Sequence, residues 1–300
     1  MIYTVTLNPG LDYNGYTSSM EYGKTNRMHD EYFSPGGKGL NVSAMLARYG
    51  EETKALGYIA GFTGQALKEL LSKCDVDCDF IDVGEGFTRI NVKVINEKVT
   101  EYNGEGIRLS EDLIRDLEEK LKALNEEDMV VFSGSIPRGA DSGLYARLMA
   151  ETKAGVILDA SGDALKKGIS LKPWLIKPND EELSQVAEGP LNTLAEMIEA
   201  AKGLQKKGAR NILCSLGPDG AFFVSEKGEV YTAKTPEVPA GHKLNTVAAG
   251  DTLLSSFVHM QKKTGDAEKA LKFGVAAGTA AAYSPWLPEL SFVEELYKSM

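Results

Sequence analysis

Cysteine and histidine are both scarce in this chain. Cys74, Cys78 and Cys214 are its cysteines, and three histidines accompany them. So sparse and odd a set does not build a secreted disulfide framework and favours a reducing cytoplasm. Cys74 and Cys78 stand four apart with no histidine near them in sequence, so a zinc site is not expected. They read as a helix end and the loop after it. No run of about 18 apolar residues occurs, so no transmembrane helix is expected. The opening MIYTVTLNPG has a strand pattern rather than a charged segment and a long apolar core, so it does not read as a signal peptide. Positive charge is in deficit too: 33 Lys and Arg face 43 Asp and Glu, a net of −10. That balance argues against non-specific binding to nucleic acid or an anionic membrane. A few converging cations could still hold a small anion.

Common catalytic fingerprints are also missing. YGKT at 22–25 supplies the tail of a P-loop, but Ser18 stands where its first glycine belongs. GYIAGFTG at 57–64 has glycines at other spacings than a dinucleotide fingerprint. No H-E-x-x-H, G-x-S-x-G or Cys–His pattern stands out.

What is present is an alternation of strand-like and helix-like segments. MIYTVTL, EDMVVFSGS (127–135), GVILDAS (155–161) and RNILCSLG (210–217) read as strands ending in small or polar residues. Between them lie amphipathic stretches. SEDLIRDLEEKLKAL offers Ser110 as a cap, acids in the first turn, and Leu113, Leu117, Leu121 and Leu124 on one face. Alternation of this kind implies a mainly parallel sheet with helices on both faces. Two segments break it. Residues 13–33 are polar and aromatic, and RINVKVINEKVTE (89–101) alternates apolar with polar residues. Both read as exposed antiparallel strands, forming either a lid or an edge extension of the main sheet. At 300 residues with 43% hydrophobic content the chain suits one large domain or two modest ones.

Ligands of open parallel sheets sit beyond the carboxyl ends of the strands, so polar strand ends are where chemistry should collect. LNPGLD carries Asn8 and Asp12; SPGGKGLN carries Gly37, Lys38 and Asn41; FSGSIPRG carries Ser133, Gly134 and Arg138. IKPNDEEL places Lys177, Asn179 and Glu182 after an apolar run. Asn179 and Glu182 could orient water around Mg²⁺, or could simply cap an acidic helix start. CSLGPDGAFFV gives a glycine-rich turn between strands, either a plain hairpin or a place where a nucleotide approaches the backbone. Finally, NTVAAGD puts Ala248, Ala249 and Gly250 before Asp251 at the start of an apolar helix. Asp251 there is either an N-cap or a base beside an anion held by helix amides.

Taken in order, TLNPGLD, GGKGLNVS, GYIAGFTG, TRINVKV, FSGSIPRG, LDASGDAL, KPNDEEL, SLGPDGA and NTVAAGD resemble the PfkB family of ribokinase-like carbohydrate kinases over essentially the whole chain. TLNP…LD, GGKG.N and TRIN.K look most like its phosphosugar branch. The resemblance implies one α/β domain over 1–300, with the segments at 13–33 and 89–101 as a small antiparallel β lid. It implies Asp251 as the base and Ala248, Ala249, Gly250 and Asp251 as an anion hole of amides. Asp12, Gly37, Lys38 and Asn41 match sugar-binding positions. Arg89, with Lys38 and Arg138, would hold the phosphate already on the substrate. Asn179 and Glu182 match the element that organises Mg²⁺ through water, with Lys177 beside them. Ser215, Gly217 and Gly220 match a nucleotide-binding turn. The implied reaction is ATP-dependent phosphorylation of a phosphosugar, with fructose 1-phosphate leading, tagatose 6-phosphate second and fructose 6-phosphate third. A cytoplasmic protein and a homodimer through the lid go with it. The family usually reads G-A-G-D where this chain has Ala248 first. A catalytically weak sugar-phosphate sensor is the reading of a different class, and Ala248 would be its symptom.

Overall fold

A computed structural model describes residues 1–240, 244–245 and 247–300; Thr246 of NTVAAGD lies outside the described residues. The chain begins β1 (Ile2–Thr6), β2 (Gly10–Tyr16), β3 (His29–Gly36), α1 (Lys38–Arg48), β4 (Thr53–Ile59) and α2 (Gly61–Ser72). It continues β5 (Asp77–Cys78), β6 (Ile81–Asp82), β7 (Arg89–Ile95), β8 (Val99–Asn103), α3 (Glu111–Lys122), β9 (Met129–Ser133) and α4 (Leu144–Met149). Then come β10 (Gly155–Asp159), α5 (Gly162–Ile169), β11 (Leu175–Ile176), α6 (Asp180–Ala187) and α7 (Leu194–Lys207). The last elements are β12 (Asn211–Ser215), β13 (Ala221–Val224), β14 (Val230–Ala233), α8 (Ala249–Thr264), α9 (Ala267–Ala282) and α10 (Leu290–Lys298).

The large sheet runs β14-β13-β12-β11-β10-β9-β1-β4-β5, with β6 also on β4. It is parallel from β12 to β5, and β13 and β14 extend it antiparallel at one edge. Strand alternation divides its apolar side chains between two cores. In β9, Val130 and Phe132 join one cluster and Val131 the other; in β10, Leu158 and Ile157 do the same. Helices α3 to α7 cover the first face, and α1, α8 and α9 the second. Helix α3 forms as its sequence implies: the Ser110 hydroxyl accepts from the Leu113 amide at 3.4 Å, and Leu117 and Leu121 are fully buried. Cys78 lies in the short β5 rather than in a loop.

The two segments that break the alternation fall in a second sheet of order β3-β2-β7-β8. It consists of two antiparallel hairpins joined by a parallel pairing of β2 with β7. Its amphipathy is the reverse of an ordinary exposed sheet. Asp12, Asn91 and Lys93 are buried on the face turned to the large sheet. The register places Phe33, Tyr13, Val92 and Tyr102 in one cross-strand row, and Phe33 and Tyr102 are exposed.

Helices α8 and α9 pack closely because α9 is built of small residues. A Cβ added at Gly278 would stand 3.1 Å from the Ala249 carbonyl oxygen, so a larger residue would push against the first turn of α8. Chemical denaturation checks the core. Leu121→Ala should cost about 2–5 kcal/mol, while Ser110→Ala should cost about 1 kcal/mol; equal, small losses would mean that α3 is not held by its apolar face.

Candidate active site

A cleft of about 1040 Å³ opens at the carboxyl ends of β1, β9, β11 and β12, with the small sheet as its opposite wall. Strand order reverses between β1 and β9, which is where open α/β sheets place their ligands. Asp12, Gly37, Lys38, Asn41, Arg89, Lys177, Asn179, Glu182, Ser215, Gly217, Gly220, Ala248, Ala249, Gly250 and Asp251 all line it.

Beneath two of its lining lysines lies Asp159, the fully buried last residue of β10. The Lys38 ammonium is 3.3 Å and the Lys177 ammonium 3.2 Å from its Oδ1, and the Ser133 hydroxyl donates to Oδ2 at 3.0 Å. Burial works against the charge of Asp159, yet the two lysines and Ser133 hold its carboxyl below the usual carboxylate range. Asp159 in turn raises the pKa of Lys38, against the opposing pull of burial. Two cations share this one carboxylate, and Asp251 and Glu182 also act on Lys38.

Asp251 is not the N-cap of α8. That position belongs to Ala248, in the left-handed region at φ 60°, ψ 2°, with no side-chain cap. The first intrahelical bond runs from Thr252 N–H to the Ala248 carbonyl at 2.9 Å. The amides of Ala249, Gly250 and Asp251 precede it and have no intrahelical carbonyl to reach. Asp251 is buried behind them, and its Oδ2 accepts from Asn41 Nδ2 at 2.8 Å. Burial, with Asp159 adding to it, lifts its pKa from 3.8 to about 6, although Lys38, Asn41 and Lys177 pull the other way. Two neighbouring carboxylates thus end with opposite shifts: one stays ionised, the other is poised to take a proton near neutral pH.

On the small-sheet wall, Asp12 accepts from Asn91 Nδ2 at 2.7 Å and pairs with Lys93 at 2.7 Å. Arg89 differs from the other cleft cations. Its Nε donates to the Asn8 carbonyl at 3.1 Å and its Nη1 to the Gly104 carbonyl at 3.4 Å, and it makes no ion pair among the described residues. Burial pulls its pKa down, with Asp12 acting the other way; a guanidinium remains charged regardless. Arg138 is not brought to the cleft wall. It is largely exposed and pairs with Glu105, a carboxylate that competes for its charge.

Asn179 and Glu182 form a reciprocal capping box at the start of α6: Asn179 Oδ1 accepts from the Glu182 amide at 2.7 Å, and Glu182 Oε2 from the Asn179 amide at 3.0 Å. The helix-start reading is therefore realised, and it also points the pair at the cleft. Among the described residues no group of three or more His, Cys, Asp or Glu side chains gathers as a metal cage. The second oxygen of Glu182 and the neighbouring Asp180 and Glu181 on the cleft are hard oxygen donors, which suits an Mg²⁺ ion that keeps most of its waters. A β-bridge between Asn179 and Ser215 sets the turn at 217–220 beside them. Gly220 has φ 98°, and a Cβ there would run into the Ala233 carbonyl.

Three residues escaped the sequence reading as site members: Asp159, Asn91 and Lys93. The signals were there, as a lone acid ending the apolar run GVILD and as polar residues at every second position of RINVK.

With the geometry established, comparisons with known proteins agree on one family. The model of the pfkB family carbohydrate kinases matches residues 7–285. The chain is 38% identical to a 1-phosphofructokinase of Bacillus subtilis, over 99% of this chain and 97% of the relative. It is 33% identical to a D-tagatose-1-phosphate kinase of Bacillus licheniformis, over 98% of this chain and 97% of the relative. The crystal structure of phosphofructokinase-2 from Escherichia coli in complex with fructose-6-phosphate superposes with a TM-score of 0.90 at 30% identity, covering 99% of this chain and 98% of that one.

Two stability measurements test the site's strain. The left-handed region costs an L-residue about 1–2 kcal/mol. That is offset because glycine is freer when unfolded and because a buried methyl worth about 0.8 kcal/mol is lost, so Ala248→Gly should change stability by less than about 1 kcal/mol. A carboxyl whose pKa climbs from 3.8 to about 6 on folding gives stability that is fully present below 3.8 and lost as pH rises through 6. Asp251→Asn should therefore be more stable than the parent at pH 7 by on the order of 2–3 kcal/mol. The advantage should shrink toward pH 4; a variant no more stable at pH 7 would contradict the raised pKa.

Proposed function

Since the chain belongs to the pfkB family of carbohydrate kinases, we propose that it transfers the γ-phosphoryl group of ATP to fructose 1-phosphate, giving fructose 1,6-bisphosphate. The observation that carries this reading is Asp251, a buried carboxyl of pKa about 6 beside the free amides that start α8. The sugar hydroxyl gives its proton to Asp251 and its oxygen bonds to the γ-phosphorus, while the bond from that phosphorus to the bridging oxygen of ADP breaks. Such a transfer needs positioning and charge stabilisation more than covalent chemistry. The amides of Ala249, Gly250 and Asp251 meet the charge that develops on the transferred group. Asn179 and Glu182 would hold waters of an Mg²⁺ ion bound with the nucleotide, and the ion would supply charge neutralisation at the phosphates. Lys38 and Lys177 add positive charge, and the turn bearing Ser215, Gly217 and Gly220 backs the nucleotide.

Arg89, a half-buried cation that makes no ion pair among the described residues, is the seat we assign to the phosphate already on the sugar. Asp12, oriented by Asn91 and Lys93, accepts from sugar hydroxyls. A phosphate on the first carbon is favoured because the relatives include both 1-phosphofructokinases and a D-tagatose-1-phosphate kinase. Tagatose 6-phosphate and then fructose 6-phosphate follow as acceptors. Retention of Asp251, Asn179 and Glu182 weighs against a sugar-phosphate sensor. We read the small sheet as a lid, and its outer row of Phe33, Tyr13, Val92 and Tyr102 as the surface of a homodimer. A cytoplasmic location accords with three free cysteines. Among the described residues no helix is long and apolar enough to cross a membrane.

Coupled ADP release with MgATP should show the highest kcat/KM for fructose 1-phosphate over tagatose 1-phosphate, tagatose 6-phosphate and fructose 6-phosphate; silence with all four would sink the kinase reading. Turnover should fall about tenfold per pH unit below about pH 6 as Asp251 takes up its proton, and Asp251→Asn should lose about 10²–10⁴-fold in kcat. Light scattering should give a dimer that Phe33→Glu with Tyr102→Glu converts to a monomer; a monomeric parent would remove the dimer reading.

A further inference from the structure

We infer that Trp286 is a positioning residue for the base: its indole N–H fixes the orientation of the Asn41 amide, and through it the oxygen that Asp251 offers to the cleft. The inference rests on the reading of Asp251 as the base. Trp286 lies between α9 and α10. Its Nε1 donates to Asn41 Oδ1 at 2.9 Å, and Asn41 Nδ2 donates to Asp251 Oδ2 at 2.8 Å. A side-chain amide has two ends of nearly equal shape, and a half-turn of Asn41 would aim its oxygen at the carboxylate. The indole N–H can only donate, so it accepts only the arrangement with the Asn41 oxygen facing it. Nδ2 is then left for Asp251. Oδ2 of Asp251 is engaged, and Oδ1 accepts no hydrogen bond among the described residues.

Trp286 is itself held. The Arg48 guanidinium lies 6.0 Å from its ring centroid, and Arg48 Nη1 donates to the carbonyls of Leu287 at 3.3 Å and Pro288 at 2.8 Å. Asn41 and Arg48 are seven apart on α1, so one face of that helix grips the segment at both ends. The hydroxyl of Tyr32, on β3, donates to the Pro285 carbonyl at 3.2 Å, and Asn245 Nδ2 to the same oxygen at 3.0 Å. Packing alone would be met by phenylalanine; the N–H is what the relay uses. The charged groups facing it are Asp159, Lys38 and Lys177 around Asp251, and Arg48 with Glu289 at 3.9 Å around Trp286.

Trp286→Phe removes the N–H and keeps an aromatic ring. Losing one hydrogen bond in such a relay should lower kcat about tenfold, with both KM values within about twofold of the parent. The acid limb of the kcat profile should move to higher pH, because Asp251 loses a fixed donor. In an Asn41→Ala background the same change should cost less than about twofold. An unchanged kcat and pH profile, with Asp251→Asn inactive, would overturn the positioning role and leave the base in place. A fully active Asp251→Asn enzyme would overturn both. A loss shared between kcat and KM, without a pH displacement and undiminished in Asn41→Ala, would mark a structural residue and overturn the inference. Should Trp286→Phe fail to fold, Trp174→Phe leaves Trp286 the only tryptophan. Its emission should then titrate with the acid limb of kcat, and Asp251→Asn should abolish the change; flat emission across that limb overturns the coupling.

Discussion

Lys38 and Lys177 reach one oxygen of the buried Asp159 from two separate parts of the chain, and the cleft is organised around that contact. A lone carboxylate at the end of β10 would be costly to bury, as would either ammonium. Together they are tolerated because Ser133 occupies the second oxygen and the lysines share the first. The cluster does more than balance itself. It fixes where α1 begins, since Lys38 is the first residue of that helix, and where the strand β11 gives way to α6, since Lys177 stands between them. It also gathers two cations at one point of a chain whose net charge is −10. An anionic ligand thus finds individual cations to pair with, although the protein as a whole is acidic.

The same cluster sets the chemistry of Asp251. Asp159 is held ionised by its lysines, and its charge, added to burial, helps to keep Asp251 easier to protonate than an exposed carboxyl. Neither property could be assigned to either residue alone. The α8–α9 contact then supplies the geometry: with Gly278 against Ala249, the first turn of α8 is placed by a neighbouring helix and not by a side-chain cap. Its amides are consequently left open to the cleft. A capped helix would be more stable and less useful there.

Much of this was legible in the sequence because the relevant residues come in short motifs at strand ends. Alternation gave the layered architecture, and Asp12, Lys38, Asn41, Glu182 and Asp251 all reach one cleft. What stayed hidden shares a physical reason, that it depends on partners distant in the chain. Asp159 reads as an ordinary strand end until Lys38 is found beside it, 121 positions away. Lys93 reads as an exposed strand residue, because the alternation of RINVK does not reveal that its polar face is the buried one. Arg138 follows its motif yet pairs with Glu105, a contact no local pattern announces. Whether Asp251 caps α8 was equally closed to local reading, since Asp251 and Ala248 both stand at a helix start and only the backbone shows that Ala248 is the N-cap.

Ala248 shows how little the departure from glycine asks of this site. The position does require a left-handed conformation, which is where glycine is favoured, and the alanine adopts it at φ 60°. Its methyl group is buried in the apolar cluster that includes Ala276, Ala277 and Ala280 of α9, so the Cβ is turned to the core. The cost is therefore local backbone strain, borne by folding, while the amides that follow keep their orientation through the bond from Thr252 to the Ala248 carbonyl. Strain held at a functional turn by well-packed surroundings is a familiar condition of active sites. On that argument the substitution bears on stability first and on phosphoryl transfer only through any displacement of α8, which the close packing against α9 resists.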